Sequence, residues 1–168
     1  MLKILTVNPQ NYQDSILELF EEYLRGNQQA IAASLKIHFD LDSLLKEEPQ
    51  NLSQFFPPNG FFLGVKHHLK LIGCAGLRPL NSQVCEIKRV YVKPEYRRQG
   101  IGRLLIKTLL EEAKNRDYHS VRLDCFRGFV AAQNLYKSLG FQEIKPDLES
   151  EIPPQYYQHW MFMEHQLN

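Results

Sequence analysis

Residues 84–92, VCEIKRVYV, open the most constraining stretch of this chain. β-Branched and aromatic residues favour a strand there. Lys93-Pro94-Glu95 ends it, because proline cannot continue a ladder. An arginine- and glycine-rich run follows directly, Tyr96-Arg97-Arg98-Gln99-Gly100-Ile101-Gly102-Arg103. From there Ile101, Leu104, Leu105, Thr108, Leu109 and Ala113 make one apolar stripe at helical spacing. A strand, a glycine turn and a helix in that order build an anion site. The first residues of a helix carry unpaired N–H groups and the positive end of the helix dipole. Gly100 and Gly102 let a ligand approach that backbone, and Arg97, Arg98 and Arg103 add positive charge. Phosphate or pyrophosphate is the natural occupant. The plainer alternative is a glycine turn with solvated arginines.

The flanking segments alternate strand and helix. Leu2–Val7 reads as a strand. Asn11 can cap a helix carrying Asp14 in its first turn, with Ile16, Phe20, Tyr23 and Leu24 on one face and Gly26 as its stop. A second helix is expected from Leu35 to Lys46, then a loop over Glu47–Asn59. Phe61–Lys66 and Leu69–Leu77 flank His67-His68 as a hairpin, and Pro79–Ser82 is turn material. After Ser120–Cys125, a short strand, Ala132, Leu135, Tyr136 and Leu139 repeat at helical spacing up to Gly140. Phe141–Ile144 and Trp160–Gln166 read as the last strands. The order is mixed α/β.

At 168 residues the chain is one domain's worth, taken here as a single domain over residues 1–168. Its 20 Lys and Arg against 19 Asp and Glu give no general attraction to nucleic acid or to an anionic membrane, so an anion site has to be local. The sequence holds no GxxxxGK[ST] and no GxGxxG, which sets aside the P-loop and the Rossmann fingerprint. Cys74, Cys85 and Cys125 have neither the number nor the spacing of a disulfide framework or zinc site. No metal is expected. Without an apolar run long enough for a signal peptide or a membrane span, a reducing, cytoplasmic setting is expected.

Two blocks carry a family resemblance. Val90-Tyr91-Val92-Lys93-Pro94-Glu95-Tyr96-Arg97-Arg98-Gln99-Gly100-Ile101-Gly102 resembles motif A of the GNAT N-acetyltransferase superfamily, with its R-x-x-G-x-G core. Ala132-Gln133-Asn134-Leu135-Tyr136-Lys137-Ser138-Leu139-Gly140-Phe141 resembles the family's A-x-x-L-Y-x-x-x-G-F block. The resemblance covers about Phe61 to Ile144. It implies the GNAT fold, a mixed, mostly antiparallel central sheet with helices on both faces. It also implies an enzyme that moves an acetyl group from acetyl-CoA, as co-substrate, to a primary amine of a small molecule or peptide. In such proteins the strand ending at Val92 splays from its neighbour, and the pantetheine lies in the gap against the backbone of Val90, Tyr91 and Val92. The pyrophosphate rests on the N–H groups from Gln99 to Arg103. By the same resemblance Arg97, Arg98, Gly100, Ile101, Gly102 and Ala132 belong to the cofactor site. The resemblance allows a homodimer; the sequence itself is silent on it.

The resemblance places Tyr136 where a tyrosine often protonates the leaving CoA thiolate, and a phenol can serve a thiol of pKa about 8.5 in that way. Its place on an apolar stripe equally suits packing. Glu86 lies eleven residues before Arg97, a spacing at which some members hold their general base. A base there needs burial to raise its pKa, and Lys88 and Arg89 oppose the rise. The alternative is a glutamate paired with one of those cations. An N–H near Val90 or Tyr91 can hold the oxyanion. Phe129 stands where many members carry a cofactor-binding Asn, with Gln133 and Asn134 as the nearest substitutes. His67 and His68 read as solvated, and His38, His119, His159 and His165 as scattered. Arg25, Lys36 and Asp40 either reach the acceptor or are solvated. Tyr23, Tyr156, Tyr157 and Trp160 either line its pocket or belong to the core. Asp147, Glu149 and Glu151 hint at a polycationic acceptor. A silent acyl-CoA-binding regulatory module and an enzyme for a longer acyl-CoA are the competing functions.

Overall fold

A computed structural model describes residues 2–36, 40–146 and 150–167. Its elements are β1 (Leu2–Thr6), α1 (Pro9–Leu35), α2 (Leu41–Asn51), β2 (Phe61–His67), β3 (Lys70–Pro79) and β4 (Val84–Val92), followed by α3 (Ile101–Asn115), β5 (Ser120–Phe126), α4 (Val130–Ser138), β6 (Gln142–Ile144) and β7 (Trp160–Gln166). The strands form one sheet in the order β1-β2-β3-β4-β5-β7-β6. Every neighbouring pair is antiparallel except β4 and β5.

Alternation along the strands sends apolar side chains to both faces, and both are covered. On one face Leu63, Leu77, Ile87, Val121 and Leu123 pack with Leu105, Ile106 and Leu109 of α3 and Tyr136 of α4. On the other, Phe62, Leu71, Cys74 and Tyr91 meet Ile16, Leu19 and Phe20 of α1. A third cluster joins Ile31 and the partly buried Leu35 at the far end of α1 to Phe126, Trp160 and Phe162. This is the expected sheet with helices on both faces.

Four local expectations fail for physical reasons. α1 begins at Pro9, a residue suited to the first helical turn, so Asn11 lies inside the helix instead of capping it and Asp14 falls beyond its first turn. α1 does not stop at Gly26 but runs nine residues further, to Leu35. Helix packing at both ends outweighs the roughly 1 kcal/mol that a helical glycine costs. The left-handed residue that ends α1 is Lys36, at φ 54°. The second helix begins at Leu41 rather than Leu35, because Asp40 caps it. Asp40 accepts from the Ser43 N–H at 3.2 Å and the Ser43 hydroxyl at 2.6 Å. It ends at Asn51, inside the stretch expected to be loop. In α3 the buried stripe contains Ile106 in place of Leu104, which is 53% exposed. No helix among the described residues is long and apolar enough to cross a membrane.

Candidate active site

The parallel pair β4–β5 is short. It is registered only at Val84–Ser120, Cys85–Val121 and Glu86–Arg122. Beyond those pairs β4 follows β3 as far as Val92, and β5 follows β7 as far as Phe126. The sheet therefore opens into a gap between residues 87–92 of β4 and 123–126 of β5. A bulge aids the divergence: the β3–β4 register shifts between Cys74 and Gly76, and Arg89 sits at φ 59°. Beyond the bulge the Lys93 N–H donates to the Ile72 carbonyl at 2.9 Å. Peptide groups alternate in direction along a strand. Val92 thus turns its N–H and carbonyl into the gap, while Tyr91 turns its N–H back to β3. Arg97 Nε donates to the Val92 carbonyl at 2.8 Å.

The loop after β4 leads straight into the N-terminus of α3. Arg97, Arg98, Gln99 and Gly100 are all exposed. Gly100, the N-cap, has φ 80°, a left-handed conformation, and a Cβ there would meet nothing within 4 Å. The first intrahelical bond runs from the Leu104 N–H to the Gly100 carbonyl at 3.0 Å, so the amides of Ile101, Gly102 and Arg103 precede it. Gly102 faces α4, its Cβ position 3.3 Å from Leu135. Arg103 leans the same way and donates to Ser138 Oγ at 2.7 Å. Amides ahead of the first intrahelical bond, open space at Gly100 and adjoining guanidinium groups fit a pyrophosphate, and the gap beside Val92 fits an extended pantetheine arm. Ala132, on α4, is half-buried against the core.

Tyr136 is fixed by the end of its own helix. Gly140, at φ 89°, donates its N–H to the Lys137 carbonyl, and the Phe141 N–H reaches the Tyr136 carbonyl at 3.1 Å. This is a Schellman stop, whose usual apolar contact here is the Phe141 ring at 6.0 Å from Tyr136. The Gly-Phe of the second motif thus locks the tyrosine ring in place. Its side chain is buried, at 6% exposure. Burial, and after it the nearby Cys125, Tyr23 and Asp124, push its pKa upward, so it stays a protonated phenol.

A buried charge network fills the α1 side of the gap. Arg78 directs Nε and Nη2 at Glu86 Oε2, at 2.8 and 2.6 Å. Lys88 Nζ lies 2.8 Å from Asp124 Oδ2, 3.6 Å from Glu86 Oε1 and 3.5 Å from Glu151 Oε2. The Lys88–Asp124 pair spans the two parted strands. Arg78 Nη1 also reaches Gln54 Oε1 and, at 2.8 Å, Glu151 Oε1. Burial raises the pKa of Glu86 even though Lys88 and Arg78 pull it down. For Lys88 burial acts downward, but Asp124, Glu86 and Glu151 outweigh it and raise the pKa. Tyr23 projects from α1 into the same region. Burial raises its pKa against the pull of Arg89 and Lys88.

Arg78 and Asp124 are not singled out by the sequence. Their only signal is a charged residue among apolar neighbours, in GCAGLRP and SVRLDCF. Lys88, one of the two expected opponents of Glu86, does pull its pKa down from 3.6 Å, and the hydrogen-bonded cation is Arg78. Gln133 is committed to its own loop, donating to the Arg127 carbonyl at 2.6 Å, and Asn134 is exposed. Phe129 packs edge-on to Phe126 at 5.4 Å. Tyr156 and Tyr157 pack beside Trp160 and Phe162. His67 meets Tyr96 at 3.1 Å and thereby ties the β2–β3 hairpin to the arginine loop. Arg25 pairs with Glu21 on the surface of α1. Among the described residues no group of His, Cys, Asp and Glu is arranged to hold a metal. His38, Asp147 and Glu149 lie outside the described residues. Cys74, Cys85 and Cys125 are free and buried, and burial pushes each thiol up to about 12. None is a ready nucleophile.

Comparison with known proteins gives a consistent picture. The acetyltransferase (GNAT) family model matches residues 14–141. An uncharacterized N-acetyltransferase of Schizosaccharomyces pombe is 34% identical over 104 residues, which is 61% of this chain and 64% of that protein. The match thus spans just under two thirds of the relative's length. A GNAT-family acetyltransferase from Staphylococcus aureus superposes with a TM-score of 0.75 at 22% identity, covering 100% of both chains. The PaiA N-acetyltransferase of Thermoplasma acidophilum, solved in complex with coenzyme A, superposes with a TM-score of 0.69 at 21% identity, covering 99% of each. At these identities the two structures speak to the fold.

Proposed function

Because the chain belongs to the acetyltransferase (GNAT) family, we propose that it transfers an acetyl group from acetyl-CoA to a primary amine of a small molecule or peptide, directly and within a ternary complex. The observation that carries this reading is the gap between β4 and β5, with the open N-terminus of α3 at one end and the Tyr136 hydroxyl beside it. Acetyl-CoA supplies an activated thioester. The amides from Gln99 to Arg103, with Arg97 and Arg98, hold its pyrophosphate, and Val92 lines its pantetheine arm.

Glu86 is the base. Arg78 occupies Oε2; Oε1, with Lys88 Nζ 3.6 Å away, takes a proton from the acceptor ammonium, directly or through one water. The Val90 amide faces the charge that develops on the acyl oxygen, since the Tyr91 N–H is turned to β3. Tyr136 returns a proton to the departing sulfur. Acylation of a cysteine is not part of the scheme, because all three thiols are held protonated by burial.

Amine-dependent release of free thiol from acetyl-CoA tests the reaction. The pH profile tests the base. Glu86 has to be ionised to accept a proton, and burial raises its pKa, so kcat at saturating amine is expected to fall with decreasing pH already above the usual carboxylate value of about 4.3. Glu86→Gln should lower kcat by about 10²-fold or more and flatten that limb. An unchanged limb in the variant would reduce Glu86 to an ion-pair partner.

A further inference from the structure

The charged cluster beside the gap contains a carboxylate that does not belong to the sheet. Arg78, Glu86, Lys88 and Asp124 are fixed on strands, with side chains 12%, 6%, 9% and 9% exposed. Glu151 comes from the loop between β6 and β7, and its side chain is 43% exposed. Its two oxygens are shared between two cations, Oε1 with Arg78 Nη1 at 2.8 Å and Oε2 with Lys88 Nζ at 3.5 Å. Arg89 is near enough to act on it as well. Lys88, Arg78 and Arg89 together hold its pKa below the ordinary value although burial acts the other way. Arg78 thus turns one edge to the buried Glu86 and the other to Gln54 and to the solvent-open carboxylate of Glu151.

From this geometry we infer that Glu151 stands in for a carboxylate of the acceptor, and that the acceptor is an amine which also carries a carboxylate, an amino acid in the broad sense. The inference rests on the acetyl-transfer reading and narrows its substrate class. The acceptor's carboxylate takes the Glu151 place between Arg78 and Lys88. Its amine then extends along β4 toward Glu86 Oε1 and the gap. Glu151 withdraws into solvent, to which it is already open. Arg78 and Lys88 keep Glu86 and Asp124 throughout, so the exchange replaces one outer carboxylate by another and leaves neither buried cation unpaired.

The test compares acids with their carboxamides. L-α-amino acids, β-alanine and 4-aminobutyrate are each assayed beside the matching carboxamide, by thiol release at saturating acetyl-CoA. A charge-assisted contact is lost in the amide, so kcat/KM for the preferred acid is expected to exceed that of its carboxamide by about tenfold or more. Glu151→Gln removes a negative charge that repels the acid but not its carboxamide, and should raise the acid-to-carboxamide ratio several-fold. Arg78→Gln should bring the ratio toward one. Should that variant not fold, the Glu151→Gln ratio carries the test, since a merely structural role of Glu151 would change both members of a pair alike. Turnover of plain amines with a ratio near or below one, unmoved by Glu151→Gln, overturns the inference and leaves acetyl transfer standing. Failure to bind acetyl-CoA in calorimetry overturns both.

Discussion

Gly100→Glu is expected to abolish acetyl-CoA binding while leaving the protein folded. A Cβ at this position meets open space, so no clash arises. The residue has to keep φ at 80°, which costs a non-glycine residue about 1–2 kcal/mol. A carboxylate at a helix N-cap returns about 0.3–1 kcal/mol through the helix dipole. Folding is therefore nearly indifferent to the change. Binding is not, because the new charge sits among the amides of Ile101, Gly102 and Arg103, where the pyrophosphate has to rest. Two like charges about 4 Å apart repel by about 4 kcal/mol at an effective dielectric constant of 20. That corresponds to an affinity loss of about 10³-fold. Calorimetry on the variant measures it, with Gly100→Ala as the control that carries the strain without the charge. Wild-type affinity in Gly100→Glu would mean that the pyrophosphate does not lie on α3.

Tyr136→Phe should have the second large effect, and on a different quantity. The ring is held by the Schellman stop and by Phe141, contacts that phenylalanine reproduces. The substitution removes only the hydroxyl and keeps the buried ring contacts, so thermal stability should stay nearly the same. Turnover should drop by about 10²-fold or more, the usual worth of a positioned general acid, with acetyl-CoA affinity nearly unchanged. The raised pKa keeps the phenol protonated across the neutral range, so the loss should not depend on pH there. Undiminished turnover with a competent acceptor would leave Tyr136 with packing alone.

The parts of the site built from local backbone were legible in the sequence. The strand ended by Lys93-Pro94, the left-handed Gly100 and the helix after it are contiguous, and each follows from residue-level preferences. Gly140 announced the end of α4 for the same reason. The acceptor side was not legible, because it depends on register and on distant chain. Arg78 and Glu86 face each other only through the particular pairing of β3 with β4. The bulge at Arg89 then shifts the register for the residues beyond it, and no sequence pattern marks an arginine as left-handed. Asp124 meets Lys88 only because β4 and β5 run side by side before they part. Glu151 reaches both from 63 positions beyond Lys88. The misplaced end of α1 has a related cause: Gly26 is a stop signal read locally, overruled by burial of Phe20 on one side and Ile31 on the other.

Titration of the wild-type protein with acetyl-CoA in a calorimeter tests the central claim most directly. Saturable binding at one molecule per chain, weakened by added salt as expected for a pyrophosphate held by arginines and helix amides, is the predicted result. Absence of binding would contradict the assignment of the β4–β5 gap and the α3 N-terminus as the acetyl-CoA site.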